Sequence, residues 1–329
     1  MRRSVSMKRN SLLRQAEITG VFVLGSGSPF IKLKIHRIIL SLLLLAFSFS
    51  CDQSGGAQNT SSTISEEAKR AVKLVDPSQI EAEMVLIDAG PFLMGSNELT
   101  GAERPVHRVY VDAFYIGKFE VTNAQFKAFC DATGRSYPEA EWSPDGETSL
   151  ANFKEQPGYP VVGINWEDSV AYCQWLSQQT GKKYRLPTEA EWEKAARGGL
   201  EGQKYPWGNE EFDSGGRHQA NCGSESDNDR IRKKDGFLNT SPIGSFPPNQ
   251  YGLYDMAGNV WEWCADYYDQ NYYSSSPETN PPGPSSGEKR SLRGGSWFGG
   301  PQRMQCAARL WNYPLIRYAS TGFRVAMTP

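Results

Sequence analysis

Soft and nucleophilic chemistry is concentrated in one segment, Arg293-Gly294-Gly295-Ser296-Trp297-Phe298-Gly299-Gly300-Pro301-Gln302-Arg303-Met304-Gln305-Cys306. It carries a hydroxyl at Ser296, a thioether at Met304 and a thiol at Cys306. Soft metals ask for thiolates. One thiol and one thioether are the soft donors this segment offers. A serine behind two glycines suits a tight turn. The three histidines, His36, His107 and His218, have no metal-ligand spacing. Glu262 and Asp266 lie close in sequence, but two carboxylates without a defined cleft are a thin basis for acid–base work.

The elements that would hold these groups begin with a strand, Met84-Val85-Leu86-Ile87, running into a turn at Gly90-Pro91. Val109-Tyr110-Val111 and Phe114-Tyr115-Ile116 read as further strands. Thr122 or Asn123 caps a helix that turns Phe126, Phe129 and Cys130 inward and stops at Gly134. A second helix starts near Asn165, buries Val170, Cys173 and Leu176, and ends at Gly181. The sequence Thr188-Glu189-Ala190-Glu191 fits a reciprocal capping box. Trp192, Ala195 and Ala196 follow it at helical spacing, and Gly198-Gly199 closes the run. Beyond residue 200 loops and short strands take over, with a Pro/Ser-rich surface loop at 273–290. There is no internal repeat. Helices followed by irregular β-structure predict a single, loop-rich α+β domain. Aromatic residues make up 12% of the chain, against 39% hydrophobic residues in all, so large rings must supply much of the core.

Residues 1–50 stand apart. They hold eight Lys/Arg and one acidic residue, Glu17, followed by the apolar run Ile38 to Phe49. That run is shorter than the roughly 20 residues a membrane span needs. A basic lead and short apolar stretch read as a secretion signal. Ser50-Cys51 fits lipoprotein processing, with Cys51 acylated and N-terminal after cleavage, although Ser48 stands where a leucine is usual. Residues 1–50 are therefore a signal peptide, 51–82 a flexible tether and 83–329 the folded domain. A short helix at 66–82 would be interrupted by Asp76-Pro77. The expected location is the cell envelope or periplasm, anchored to a membrane through lipid. Without its leader the chain's net charge moves from −2 to −9. An acidic chain with no basic stripe excludes nucleic acid as a partner. Export favours disulfides; Cys130 with Cys173 and Cys264 with Cys306 are candidate pairs, the alternative being buried free thiols.

Six strings in order resemble the formylglycine-generating enzymes, the sulfatase-modifying factors. They begin with Arg185-Leu186-Pro187-Thr188-Glu189-Ala190-Glu191-Trp192-Glu193 and Tyr205-Pro206-Trp207-Gly208-Asn209. Gly258-Asn259-Val260-Trp261-Glu262-Trp263, Arg293-Gly294-Gly295-Ser296 and Gly322-Phe323-Arg324 follow, and Gly90-Pro91-Phe92-Leu93-Met94-Gly95-Ser96 leads them all. The likeness runs from Met84 to Ala326. It implies the family's variant of the C-type-lectin-like fold and two structural calcium sites. One would take side-chain oxygens of Asp255 and Glu262 and the carbonyls of Gly258 and Val260. The other would take Asn221 and Asp235 by side chain and Cys222 and Phe237 by carbonyl. Oxygen donors of these kinds suit Ca²⁺.

The resemblance also shows what is missing. The family's copper(I) cysteine pair falls at Gly299 and at or near Met304, in a segment three residues shorter, so copper is not expected here. Ser296 matches a family active-site serine, with the turn reading preferred. Cys306 matches a disulfide cysteine whose usual partner position is Ala196. The function expected is a copper-free extracytoplasmic recognition or scaffold module. Its peptide or glycan groove would be walled by Trp297, Phe298, Trp311 and Tyr313. The alternatives are an oxygen-dependent oxidase converting a sulfatase cysteine to formylglycine, and an envelope lipoprotein that assembles with copies of itself.

Overall fold

The computed structural model describes residues 80–99, 101–139, 156–216, 218–223 and 235–329. The expected signal peptide, Cys51 and nearly all of the expected tether lie outside them. No helix among the described residues is long and apolar enough to cross a membrane.

Among the described residues, three α-helices form where local capping chemistry dictates. Helix α1 (Asn123–Thr133) starts at Thr122, α2 (Trp166–Thr180) at Asn165 and α3 (Glu189–Arg197) at Thr188. Each start is a reciprocal box: the cap side chain accepts the N–H three residues on, and that residue's side chain accepts the cap's own N–H. A cap of this kind is worth about 1 kcal/mol. Gly134, Gly181 and Gly198 end the helices in the left-handed region. Helix α2 differs from expectation in what it buries. Tyr172 and Trp175 join Cys173 and Leu176 in the core, while Val170 is only half-buried. The reason is ring packing: Tyr172 lies 5.8 Å from Phe126, 5.7 Å from Phe129 and 5.4 Å from Phe323, centroid to centroid.

The described strands form two four-stranded sheets and one hairpin. The first sheet runs β1 (Met84–Ile87), β4 (Phe114–Gly117), β10 (Ala326–Met327), β5 (Tyr184–Arg185), all antiparallel. The hairpin pairs β2 (Gly90–Met94) with β3 (His107–Val111). Gly90-Pro91 therefore opens a strand rather than forming only a turn. The last sheet runs β8 (Arg309–Asn312), β7 (Arg290–Arg293), β6 (Trp261–Tyr267), β9 (Thr321–Gly322), with β6 and β9 parallel. Packing starts before Met84, because Ile80 is fully buried in the α1–α2 core.

Helix α3 is the hub. All nine of its residues are buried, including five charged ones. Unpaired buried charge would be costly, so each needs partners. Glu193 accepts from the Gly95 N–H at 2.8 Å, Arg197 at 2.6 Å and Arg293 at 2.5 Å. Glu189 accepts from Arg309 at 2.6 Å and from the Ser291 hydroxyl at 3.0 Å. Burial opposes both charges, yet the guanidinium groups hold both carboxyls below their ordinary range. Lys194 spans three carbonyls, those of Asp88, Gly90 and Val111, and so ties β2 and β3 to the helix.

The five cysteines of the domain are buried free thiols. The expected Cys130–Cys173 and Cys264–Cys306 disulfides do not form. Cys130 and Cys173 occupy one hydrophobic cluster, Cys264 and Cys306 another, each filling core space as a small apolar side chain.

Candidate functional site

The turn after β7 is built on two glycines in the left-handed region, Gly294 at φ 97° and Gly295 at φ 78°. Side chains would not fit there: a Cβ on Gly295 would come within 2.9 Å of the Arg303 carbonyl. Ser296 is buried, and its Oγ accepts the Phe298 N–H at 3.4 Å while its carbonyl accepts the Gly299 N–H at 3.0 Å. Its role is to close the turn. At Gly299 a Cβ would meet the Arg303 side chain, 3.3 Å away at Cδ. Met304 is fully buried with Tyr205, Ala220, Cys222 and Ala257. Cys306 is buried beside Ala196 in another cluster, its carbonyl taken by Arg293 at 2.8 Å and its thiol pushed up to about 12, chiefly by burial. A glycine, a core thioether and a protonated core thiol do not fit a copper(I) thiolate centre.

The candidate cation ligands do come together in part. Asp255 and Asn259 adopt left-handed backbone, φ 55° and 58°, and Gly258 follows at φ 80°. Only glycine fits at 258, since a Cβ would fall 2.1 Å from the Asn221 carbonyl oxygen. Asp255 accepts the Gly244 N–H at 2.7 Å. Glu262 accepts from Nε and Nη2 of Arg324, each at 2.7 Å, and from the Trp192 indole N–H at 2.7 Å. A third acid, Glu120, accepts from the Asn259 side chain at 2.7 Å and the Val260 N–H at 3.3 Å. Three acids thus face one guanidinium. Burial pushes Asp255 up to about 6, with Glu262 adding to it. Burial and the charges of Asp255 and Glu262 raise Glu120 well above the carboxylate range. This surplus of negative charge fits a divalent cation. Among the described residues no three His, Cys, Asp or Glu side chains converge on one point, so the carbonyls of Gly258 and Val260 would have to complete the donor set. Sequence spacing could not reveal Glu120, which is brought in from 135 residues before Asp255.

At the second candidate site, Asp235 accepts the N–H groups of Cys222 at 2.9 Å and Phe237 at 3.0 Å. Asn221 donates to the Asn239 carbonyl at 2.8 Å and to Asn259 at 3.2 Å. The four named residues are therefore neighbours, and Asn221 links them to the first site. Burial raises Asp235. Residues 224–234, between them in sequence, lie outside the described residues.

Of the four groove aromatics, Trp297 is misplaced by sequence reasoning. It is 1% exposed, with its indole N–H on the Ala319 carbonyl at 3.2 Å, and is a core residue. Phe298 is half-buried against it. Trp311 is half-buried and Tyr313 46% exposed, with rings 5.8 Å apart and nearly perpendicular. Lys289 sits 3.2 Å from the Trp311 ring centre and 5.9 Å from that of Tyr313, and Tyr268 lies 6.3 Å from Trp311. Strand pairing of β7 with β8 creates this corner. Glu262 and Asp266 are both buried, 0% and 4% exposed, and so present no acid–base pair to a substrate.

A mixed helix-and-sheet domain around α3, with the glycine turn and the 255–262 loop braced against it, defines the class. A family described as "Sulfatase-modifying factor enzyme 1-like domain" matches residues 71–329. The chain belongs to this family. It is 38% identical to the formylglycine-generating enzyme of Thermomonospora curvata, over 77% of this chain and 96% of that one. It is 35% identical to the mouse protein named inactive C-alpha-formylglycine-generating enzyme 2, over 74% and 85%. The solved structure of PvdO from Pseudomonas aeruginosa superposes with a TM-score of 0.67 at 32% identity, covering 78% of this chain and 98% of that one.

Proposed function

We propose that this chain is a copper-free member of the family that recognises an extracytoplasmic peptide or glycan, anchored to a membrane through a lipid on Cys51. One observation carries the reading. Where the enzymes need a thiolate pair, the chain has Gly299 under the Arg303 side chain and Met304 sealed in the core. That the family includes a relative named inactive is in keeping with it. The ligand surface is the corner formed by exposed Tyr313 and half-buried Trp311, Tyr268 and Lys289, with Phe298 as a further contact. Flat rings offer their faces to sugars or to extended peptide, and Lys289 supplies charge. Calcium at Asp255, Gly258, Val260 and Glu262, and at Asn221, Cys222, Asp235 and Phe237, serves structure.

The test is chemical. Purified protein is incubated with copper(I), oxygen and a Cys-x-Pro-x-Arg peptide, and the peptide is weighed. No conversion of thiol to aldehyde is expected; conversion establishes the oxidase alternative and overturns the proposal. Glycan and peptide arrays probed with the protein and with Trp311→Ala supply the positive arm. Signal is expected only from the unmutated protein, and silence on both arrays removes the recognition role.

A further inference from the structure

Strand β8 is the edge of its sheet, with β7 on one side and no described strand on the other. Residues of an antiparallel strand alternate: one turns its N–H and C=O to the neighbouring strand and the next turns them away. Lys289 fixes the alternation in β7, because its carbonyl accepts the Tyr268 N–H at 2.9 Å, on the β6 side. Ser291 and Arg293 therefore face β6, while Arg290 and Leu292 face β8. Their partners across the ladder, Asn312 and Leu310, face back to them. The backbone groups of Arg309, Trp311 and Tyr313 are left pointing away from β7.

Side chains close this outer edge at both ends. The Arg309 N–H goes to the Glu103 carboxylate at 3.2 Å. The Tyr313 N–H goes to the Asn312 side-chain oxygen at 2.9 Å, and the Tyr313 carbonyl accepts the Ile316 N–H at 3.2 Å. Trp311 stands between them and is only half-buried. Neither its N–H nor its C=O has a partner among the described residues. Such a pair left dry would be costly, so it needs water or a ligand. An open edge is also the template on which an extended chain adds as a further strand.

The charge beside this opening has a sign. Lys289 stacks on the Trp311 ring, 3.2 Å from its centre, and makes no ion pair among the described residues. We propose that the Trp311 edge docks an extended acidic peptide. The peptide residue opposite Trp311 exchanges both backbone hydrogen bonds with it. Paired residues of adjacent strands share a face of the sheet, so an Asp or Glu there lies on the Trp311 side and reaches Lys289. Glu103 and Asn312 fix the register, since the outward N–H groups on either side are already taken. A glycan offers hydroxyls rather than an N–H and a C=O at strand spacing, so the open backbone pair favours the peptide. The inference rests on the recognition role proposed above and names its ligand class.

Anisotropy of the dye-labelled peptide Val-Glu-Val-Glu-Val-Glu-Val on the purified protein tests it. Two controls are the same peptide N-methylated at every glutamate and a counterpart with lysine for glutamate. The first peptide should bind. The controls should be weaker by about tenfold or more, one for its lost backbone donor and the other for its charge. Lys289→Gln should weaken the glutamate peptide by about tenfold and flatten its salt dependence. Amide hydrogen exchange followed by NMR gives the location. The Trp311 N–H should exchange more slowly once peptide is added, while the Arg309 N–H, already bonded to Glu103, should not change. Equal binding of either control, indifference to Lys289→Gln, or an unprotected Trp311 N–H overturns the proposal. Failure of the glutamate peptide to bind overturns it too. In that case a glycan-array signal lost in Trp311→Ala leaves the recognition role standing, and silence on both arrays removes it as well.

Discussion

Asp266 is a buried acid whose ionisation the fold opposes, and replacing it should change how stability depends on pH. It lies in β6 at 4% exposure, and its Oδ2 accepts the Glu189 N–H at the start of α3 at 2.8 Å. The 277–287 loop packs against it, since a Cβ on Gly283 would fall 2.8 Å from Oδ1. Burial first, then the negative charge of Glu189, pushes its pKa up to about 8, against opposition from Arg309. An unfolded aspartate titrates near 3.9. Between those values the folded chain keeps a proton that the unfolded chain has lost, so stability falls as pH rises from about 4 to about 8 and then levels off. The slope is at most about 1.4 kcal/mol per pH unit, so this group alone removes about 2–3 kcal/mol between pH 5 and 7. Asp266→Asn keeps the acceptor oxygen and cannot ionise. Urea unfolding at pH 5, 6, 7 and 8 gives the difference between the two proteins. That difference should move by about 2–3 kcal/mol in favour of the variant from pH 5 to 7. Glu120 and Asp255 titrate in both proteins and cancel. A flat difference refutes the reasoning.

Glu193→Gln should destabilise by about 3–5 kcal/mol in urea unfolding, because Arg197 and Arg293 then lose their shared buried partner; a loss under about 1 kcal/mol contradicts the hub role of α3. Trp297→Ala should cost about 3–5 kcal/mol as a core truncation, whereas Tyr313→Ala, at an exposed ring, should leave the thermal melt nearly unchanged; equal effects would overturn the division between core and surface rings. EGTA should lower the melting temperature of the calcium-loaded protein, and should lower that of Asp255→Ala, which keeps only the second site, by less; no response in the unmutated protein sinks the calcium proposal. Metabolic fatty-acid labelling should mark the protein and fail on Cys51→Ala, and an unlabelled wild type rules out the anchor.

What was legible in the sequence is local. Thr122, Asn165 and Thr188 set helix starts through bonds to residues three positions away, and Gly134, Gly181 and Gly198 end them because their backbone must turn left-handed. Family strings such as Gly258-Asn259-Val260 were legible for the same reason: each encodes a tight backbone path, and a side chain at 258 would strike Asn221. The absence of a thiolate pair at Gly299 and Met304 is likewise a fact of composition that no folding can reverse.

Tertiary structure decided everything that depends on who meets whom across the chain. Glu193 and Arg293 are 100 positions apart and Glu189 and Arg309 are 120, so nothing in their spacing marks them as partners. Trp297 and Tyr313 are equally aromatic, yet one is sealed against the Ala319 carbonyl and the other stands in solvent. Cys264 and Cys306 pack within one cluster without bonding, because enclosure in an apolar core is enough to place a thiol. The chain's sequence fixes which groups are available and how the backbone turns locally. Burial, and with it the charge state of Asp266, Asp255 and Glu120, exists only once distant segments close around them and exclude water.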